Sequence, residues 1–401
     1  MKTVHIQNNP IEYGQPAFRA ILYALFLAGF AIFSSLYCVQ PMMPLLADFF
    51  QVSPTQSSFP LSFSTLALAF GLLVTGFISD RFGRKPIMVL ALLSVAVLLI
   101  ASAWIQHWSL FLVLRALVGI AVSGVAAVAM TYIAEEIAQK DVGFAMGLYI
   151  SGTAIGGMSG RLIAGVLVDF VSWQMATLCI GALNLFIAIM FYFMLPNSQN
   201  FNSYPLQFRR LKNAFQQHCA DLKLRGLFIQ GFILMGCLVS IFNYMSYHLL
   251  DAPFHLSQVW IGILSVTYLA GIYSSPRSAQ WNARFGRQRV LPAMLLMMLL
   301  GVILMLSTSL PVLCVGLVLF SFAFFAAHAT VSSWVAVHAV EYRAVASSLY
   351  LFSYYMGSSV LGSGSGVVWE YSGWSGLIGF IAVILSFGLL IALQQQRRDK
   401  A

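Results

Sequence analysis

The sequence predicts an all-α integral membrane protein, with twelve transmembrane helices in two pseudo-symmetric six-helix bundles. Three observations carry that expectation. First, the 401 residues are 60% hydrophobic and 8% charged, with a mean hydropathy of +0.86. A soluble domain carries about a quarter charged residues, so this chain has too few polar groups to cover a water-facing surface. Second, its apolar residues gather into stretches near the ~20 residues that a bilayer core about 30 Å thick demands of a helix. Third, the later stretches repeat features of the earlier ones.

Spans 1 to 6 are expected at 19–44, 57–79, 86–104, 109–133, 143–168 and 173–195. Spans 7 to 12 are expected at 226–250, 257–276, 289–309, 311–337, 343–368 and 373–394. A membrane β-barrel would instead alternate polar and apolar residues in segments of about ten. Stretches such as Val89 to Ala103 do not alternate. Residues 1–17 are polar through Pro16, too long and too uncharged for the start of a signal peptide, and no small-residue cleavage site follows the first apolar stretch. They read as a short cytoplasmic tail before a retained helix. The bundles are thus 18–195 and 226–394, with a linker at 196–225 and a second tail at 395–401. In the linker Phe208, Leu211, Phe215, Cys219 and Leu222 step by three or four, with Arg209, Arg210 and Lys212 between them. That is the pattern of a helix lying on the membrane face; a linker without fixed structure is the other reading.

Charge placement predicts orientation. The formal net charge is +9, which would suit nucleic acid, but every Lys and Arg except Arg115 and Arg161 falls at the end of the bundles that carries the termini. The opposite loops hold only the acids Asp48, Asp169, Asp251 and Glu370. This is the positive-inside pattern, so both termini are expected in the cytoplasm and no nucleic-acid partner is expected. Cys38, Cys179, Cys219, Cys237 and Cys314 form no CxxC pair and no metal-ligand spacing.

The halves repeat. Residues 147–173 and 348–374 align without a gap, pairing Leu148 with Leu349, Tyr149 with Tyr350, Gly156 with Gly357, Gly165 with Gly366 and Trp173 with Trp374. Asp169 and Glu370 match in charge. Arg81-Phe82-Gly83-Arg84 recurs as Arg284-Phe285-Gly286-Arg287, and Gly29 and Tyr37 have the spacing of Gly236 and Tyr244. Repeats in the same orientation imply a pseudo-two-fold axis along the membrane normal, with a site near the midplane reached by rocking. Receptors and membrane enzymes have no general need of such duplication, whereas alternating access does.

Between spans 2 and 3 runs Gly76-Phe-Ile-Ser-Asp80-Arg81-Phe-Gly83-Arg84-Lys85. It resembles the signature loop GxxxDRxGRK of the major facilitator superfamily, and helix number, linker position and repeat extend that resemblance over the chain. Gly76 would permit close helix contact, Gly83 a tight turn, and Asp80 can pair with Arg84. The resemblance implies a major facilitator fold and a cytoplasmic latch stabilising the outward-facing state, in which Asp80 meets the start of span 11 near Arg343. Glu135 or Glu136 would complete the charge cluster. In the second half Ala283 stands where Asp80 stands, which removes the latch from that copy.

Arg115 opens Arg115-Ala-Leu-Val-Gly119, resembling the superfamily's span 4 motif RxxxG. An arginine on the lipid face is costly, so it should point inward, either to substrate or proton coupling, or to a structural pairing with carbonyls or Asp48. Span 5 carries Gly147, Gly156, Gly160, Arg161 and Gly165 at spacings that resemble the superfamily's antiporter signature, with Arg161 at the usual proline position. The glycines suit a sliding interface between the halves, and Arg161 is a fixed cation, either a functional charge or half of a structural ion pair with Asp169. Arg115 and Arg161 sit about six and eight residues in from the outer end, roughly 9 and 12 Å deep. No Asp or Glu falls in mid-span, so the substrate is expected to be anionic or polar-neutral rather than a lipophilic cation.

His328 is the one histidine in mid-span and, with Asp48 at the outer end of span 1, a candidate for proton coupling; a plain hydrogen bond to a helix neighbour is the alternative for the histidine. Tyr37 and Gln40 of span 1, with Asn243 and Tyr244 of span 7, are pocket candidates. The runs Gly156–Arg161, 130–136 and 347–355 resemble the twelve-helix drug and metabolite exporters, which implies efflux and a bacterial inner membrane. The expected function is proton-driven export of a small molecule by a monomer in the lipid bilayer. The alternative is a proton symporter importing a small organic anion. A transporter-like receptor would be expected to carry a cytoplasmic domain, whereas only eight residues follow Leu393. No HExxH, GxSxG or P-loop pattern occurs, so no enzyme, no cofactor and no metal site is expected.

Overall fold

The computed structural model describes residues 10–201 and 208–398, the side chains of Phe77, 208–212 and Arg398 excepted. The described residues are almost wholly helical; a lone parallel bridge pairs Ile11 with Ile137. Eleven helical stretches are long and apolar enough to cross a membrane. The last, Arg343–Arg398, is two helices joined where Gly373 leaves helical geometry at φ +59°, so it provides spans 11 and 12. Span 1 is Pro16–Tyr37 continued, after a break at Cys38, by Val39–Phe50. A one-turn helix, Pro54–Ser57, leads into span 2, Phe59–Phe82. Span 3 is Arg84–Ser102, span 4 is Trp108–Ala126 with Ala129–Glu136, span 5 is Val142–Phe170 and span 6 is Trp173–Met194. In the second half span 7 is Leu222–Leu250, span 8 joins Gln258–Leu264 to Tyr268–Phe285, span 9 is Arg287–Leu304 and span 10 is Leu310–His338.

Local chemistry explains the corners. Gly83 and Gly286 turn the chain at matching places with φ of +93° and +82°, a region a side chain at Cβ disfavours. Span 7 begins at Leu222, inside the expected linker. Lys223 and Arg225 lower the hydropathy there, yet the Asp221 carboxylate caps the helix, accepting from Lys223 N at 2.8 Å and Leu224 N at 3.0 Å. The linker does contain a helix, Phe208–Ala220. Of its described face, Ala214 and His218 are buried while Phe215 is exposed; Phe208, Leu211, Arg209, Arg210 and Lys212 lie outside the described side chains.

Spans 5 and 11 lie in equivalent grooves. A Cβ at Gly152, Gly156 or Gly160 would strike the carbonyls of Phe26, Phe30 or Ser34 of span 1. In the second half Ser353 Oγ donates to the Phe228 carbonyl, and Gly357 rests on that of Phe232. The matching register therefore pairs Phe26 with Phe228 and Phe30 with Phe232, and on that count Gly29 answers to Gly231 rather than Gly236, and Tyr37 to Val239 rather than Tyr244. Two residues at one spacing fit several helix registers; the small residues facing them decide which is used. The glycine expectations need correcting in the same way. Gly76 and Gly147 face open space, Gly156 and Gly160 pack within their own bundle, and only Gly165 reaches the other half, at Gln258 and Gly262 of span 8.

The two ends of the bundles differ in charge: one carries Arg81, Arg84, Arg284 and Arg287, the other Asp48, Asp169, Asp251 and Glu370. They are called the basic and acidic ends below. Among the described residues, the hydrogen bonds joining the bundles run between spans 1 and 7, 2 and 11, and 5 and 8, and from the turn before span 2 to span 7, all between the midplane and the acidic end.

Candidate functional site

The groove that receives span 5 sets its depth against span 1, and this brings Arg161 beneath Tyr37 and Gln40. The guanidinium is 3% exposed. Its Nε donates to Gln40 Oε1 at 2.5 Å and Nη1 donates to the Gly157 carbonyl at 2.7 Å. Its carbon stands 4.2 Å from the centre of the Tyr37 ring and 4.9 Å from those of Phe242 and Tyr268. Gln40 Nε2 in turn donates to Asn243 Oδ1 at 2.7 Å, and Asn243 Nδ2 to the Gly362 carbonyl at 3.0 Å. A single polar chain thus crosses from one bundle to the other. Arg161 Nη2 and the Tyr268 hydroxyl have no hydrogen-bond partner among the described residues.

Asp169 does not neutralise Arg161. It lies eight residues further along span 5, roughly 12 Å at the helical rise, and its oxygens accept from Gln258 N at 3.1 Å and Val259 N at 2.9 Å. Those are orphan donors at the positive end of a helix, where a carboxylate is favoured. Among the described residues Arg161 therefore has aromatic rings and neutral acceptors around it and no counter-ion. Cation–π contacts offset part of its desolvation, each worth up to ~2 kcal/mol when water is excluded.

Arg115, although of the same residue type and similar depth, is placed otherwise. It is 2% exposed and donates through Nη1 to Ser35 O at 3.1 Å, through Nη2 to Leu36 O at 2.9 Å and through Nε to Pro60 O at 3.5 Å. These carbonyls lie beside the break in span 1 and at the start of span 2, so the arginine ties spans 1, 2 and 4 together inside one bundle. Asp48 is exposed at the acidic rim and pairs with neither arginine.

The second bundle adds rings to the Arg161 region. His328 Nδ1 is 2.8 Å from the Tyr350 hydroxyl, and its ring lies 4.6 Å from that of Tyr354 and stacks on Phe324. Phe324 meets Phe325 at 5.1 Å, and Phe325 lies 5.2 Å from the Tyr268 ring, which joins this cluster to Arg161; Tyr354 packs against Tyr350 at 6.2 Å and edge-on to Tyr355 at 5.2 Å. Phe242, Tyr268, Tyr354 and Tyr355 were not among the residues that sequence alone singled out. The adjacency of Phe242 to Asn243 was one usable signal, and the doubled Tyr354-Tyr355 another. Tyr244, by contrast, belongs to the layer nearer the acidic end. It stacks on Trp369 and reaches Ser363 O at 3.5 Å, beside Ser57–Tyr247, Ser58–Ser363 and Ser62–Ser363 hydroxyl pairs.

That layer is topped by two matching clasps. Asp169, from span 5, holds the first N–H groups of span 8; Glu370, its counterpart at the end of span 11, accepts from Thr55 N at 2.8 Å in the turn leading into span 2. Each carboxylate crosses from its own bundle to the other.

Among the described residues, the charge cluster at the basic end lies within one bundle. Arg84 is 4% exposed and binds Glu135 through both Nε and Nη2, at 3.0 and 2.6 Å, while Nη1 meets Asp80 and Ser79. Arg81 lies over the Phe82 ring. Glu136 is turned elsewhere, accepting from Gln199 N at 2.9 Å and Asn200 N at 3.0 Å, so it holds the chain leaving span 6. Among the described residues no hydrogen bond or ion pair joins Asp80 to Arg343, and no cluster of His, Cys, Asp and Glu could hold a metal ion.

Comparison with known proteins agrees with this architecture. A family profile described as Major Facilitator Superfamily matches residues 25–362. The chain is 46% identical to the inner membrane transport protein YnfM of Escherichia coli (strain K12), over 98% of this chain and 94% of that one. It is 43% identical to a transporter of Buchnera aphidicola subsp. Schizaphis graminum (strain Sg), over 95% and 92% respectively. Among solved structures, a bacterial homolog to the human lysosomal transporter Spinster, inward-facing and occupied, superposes with a TM-score of 0.78 over 96% of this chain and 98% of that one. At 15% identity that likeness speaks to the fold alone.

Proposed function

The chain belongs to the Major Facilitator Superfamily and is a multi-pass membrane transporter of a small molecule, not an enzyme; within that family we propose that it is a proton-driven exporter of a small organic anion. In this reading it sits in a bacterial inner membrane with the basic end in the cytoplasm, as the placement of Lys and Arg supports. The observation that carries the proposal is Arg161, a permanently charged group buried at the seam of the bundles without a counter-ion. Such a charge is expensive, and a visiting anion offsets the cost. Because Gln40 and Tyr37 belong to one bundle and Asn243, Phe242 and Tyr268 to the other, rocking takes the cage apart and changes the affinity of the site between states. That difference is what alternating access requires. His328, hydrogen-bonded to Tyr350 and joined to the Tyr268 ring through Phe324 and Phe325, is the group to which proton coupling is assigned; Asp48, exposed at the rim, is the less suitable of the two candidates. The Asp80–Arg84–Glu135 cluster supports a latch that engages span 11 when the basic end closes.

Reconstituted vesicles with an imposed pH gradient test the whole reading. Antiport drives the anion toward the acidic compartment and Arg161→Gln abolishes the flux. Movement away from the acidic compartment would instead identify an uptake symporter, and wild-type flux in Arg161→Gln would remove the site assignment.

A further inference from the structure

We propose that the transported anion is a flat, conjugated monocarboxylate, its carboxylate on Arg161 and its ring among the aromatic side chains that surround that residue; this rests on the transport reading above and narrows it. Charge sets the first limit. Arg161 offers one positive charge, the donors of Arg115 are held by carbonyls of its own bundle, and among the described residues no acid pairs with either. A monoanion is neutralised there, a dianion brings in an excess charge, and a cation is repelled.

Donor geometry sets the second limit. Nε and Nη1 of Arg161 are engaged, Nη2 is not, and the Tyr268 hydroxyl, on a ring 4.9 Å from the guanidinium, is likewise without a partner. Two buried donors without acceptors suit the two oxygens of one carboxylate, and leaving such donors unpaired is unfavourable. The walls set the third limit. Tyr37, Phe242 and Tyr268 present rings to the guanidinium, and the Phe325 ring stands 5.2 Å from that of Tyr268. Three rings crowd the guanidinium, so whatever carries a carboxylate bound there lies against aromatic surface. Stacked or edge-to-face ring pairs are favoured beyond their buried area, so a conjugated ring is preferred to a saturated one of equal size. Tyr37 and Tyr268 belong to different bundles, so rocking parts the rings to admit the ligand.

Titration calorimetry on the purified, detergent-solubilised full chain tests this with benzoate, 2-naphthoate, cyclohexanecarboxylate, benzamide and phthalate. Benzoate or 2-naphthoate is expected to bind; cyclohexanecarboxylate about fivefold more weakly; benzamide and phthalate at least about thirtyfold more weakly. Arg161→Gln is expected to lose benzoate binding, Arg161→Lys to retain part of it, and Tyr268→Phe, which keeps the ring and removes the hydroxyl, to weaken it about fivefold. Equal binding of cyclohexanecarboxylate overturns the aromatic preference, and equal binding of benzamide, or unchanged binding in both Arg161→Gln and Tyr268→Phe, overturns the carboxylate assignment. So does failure of both aromatic acids to bind at millimolar concentration. If vesicles move only non-aromatic organic anions, this inference fails while the transport reading stands; if they move only neutral or cationic compounds, or nothing under any gradient, the transport reading fails with it.

Discussion

The two ends of the molecule use carboxylates in opposite ways. At the basic end Asp80 and Glu135 both serve Arg84 within a single bundle. At the acidic end Asp169 and Glu370 each cross to the other bundle and cap the start of a helix there. The first arrangement stiffens one rigid body; the second fastens two bodies together. In the state described here the fastening is therefore at the acidic end, and the basic-end cluster stands assembled but unattached to span 11. Rocking between two states requires that the two ends be joined in turn, and an interaction shifts that equilibrium only through its difference between the states.

The comparison can be broken most forcefully at Arg84. Arg84→Ala removes a buried cation shared by two partly buried carboxylates, and a loss of about 3 kcal/mol in the unfolding free energy of the protein is expected. If the cluster acts within one bundle, the rate at which a membrane-impermeant maleimide labels Ser363→Cys in this state stays unchanged. The clasps come next. Asp169→Asn combined with Glu370→Gln weakens two carboxylate–helix contacts by about 1 kcal/mol each, so the fraction of molecules open at the acidic end rises about thirtyfold. The same Ser363→Cys labelling rate reads that change. A smaller effect is expected from Gly366→Ala, whose added Cβ meets the Tyr244 hydroxyl of its own bundle and Thr55 across the seam. About fivefold faster labelling is expected there, and none from Gly147→Ala, which faces open space. The smallest effect concerns Asp221. Partial burial pushes its carboxyl up, but the N–H groups of Leu224 and Lys223 and the ring of His338 outweigh that and hold it below the usual carboxylate range. Its contribution is thus fully present above about pH 4 and is lost as pH falls through the lowered value. Asp221→Ala is expected to cost about 1 kcal/mol at pH 7 and to flatten the acid-side fall of the melting temperature, measured by circular dichroism.

What was legible in the sequence was whatever depends on local composition. The spans, the basic and acidic ends, the doubled halves and the glycine turns at Gly83 and Gly286 follow from hydropathy, charge and backbone freedom, each read over a few residues. Properties that depend on helical phase were harder to read. Gly147 and Gly76 look like interface glycines until their azimuth is known, and the Gly29–Gly236 match fails because one spacing is compatible with several registers. Arg115 and Arg161 differ for the same reason: one turns into carbonyls beside the break in span 1, the other toward the seam. Phe242 and Tyr268 were invisible because aromatic residues make up 14% of the chain, and only the crossing of spans 5, 7 and 8 selects the ones that meet the guanidinium. Glu135 and Glu136, adjacent in sequence, point roughly 100° apart on a helix of 3.6 residues per turn, which sends one to Arg84 and the other to the chain after span 6.

The central claim is that two bundles rock about Arg161, held shut at the acidic end by carboxylates that cross the seam. Electron–electron distances between spin labels test it most directly, with one pair at Gln56 and Tyr371 and another at Phe82 and Tyr342, both exposed and on opposite bundles. In Asp169→Asn with Glu370→Gln, the acidic-end pair should lengthen while the basic-end pair shortens. Distances that stay as in the wild type, or that lengthen together at both ends, would contradict the account.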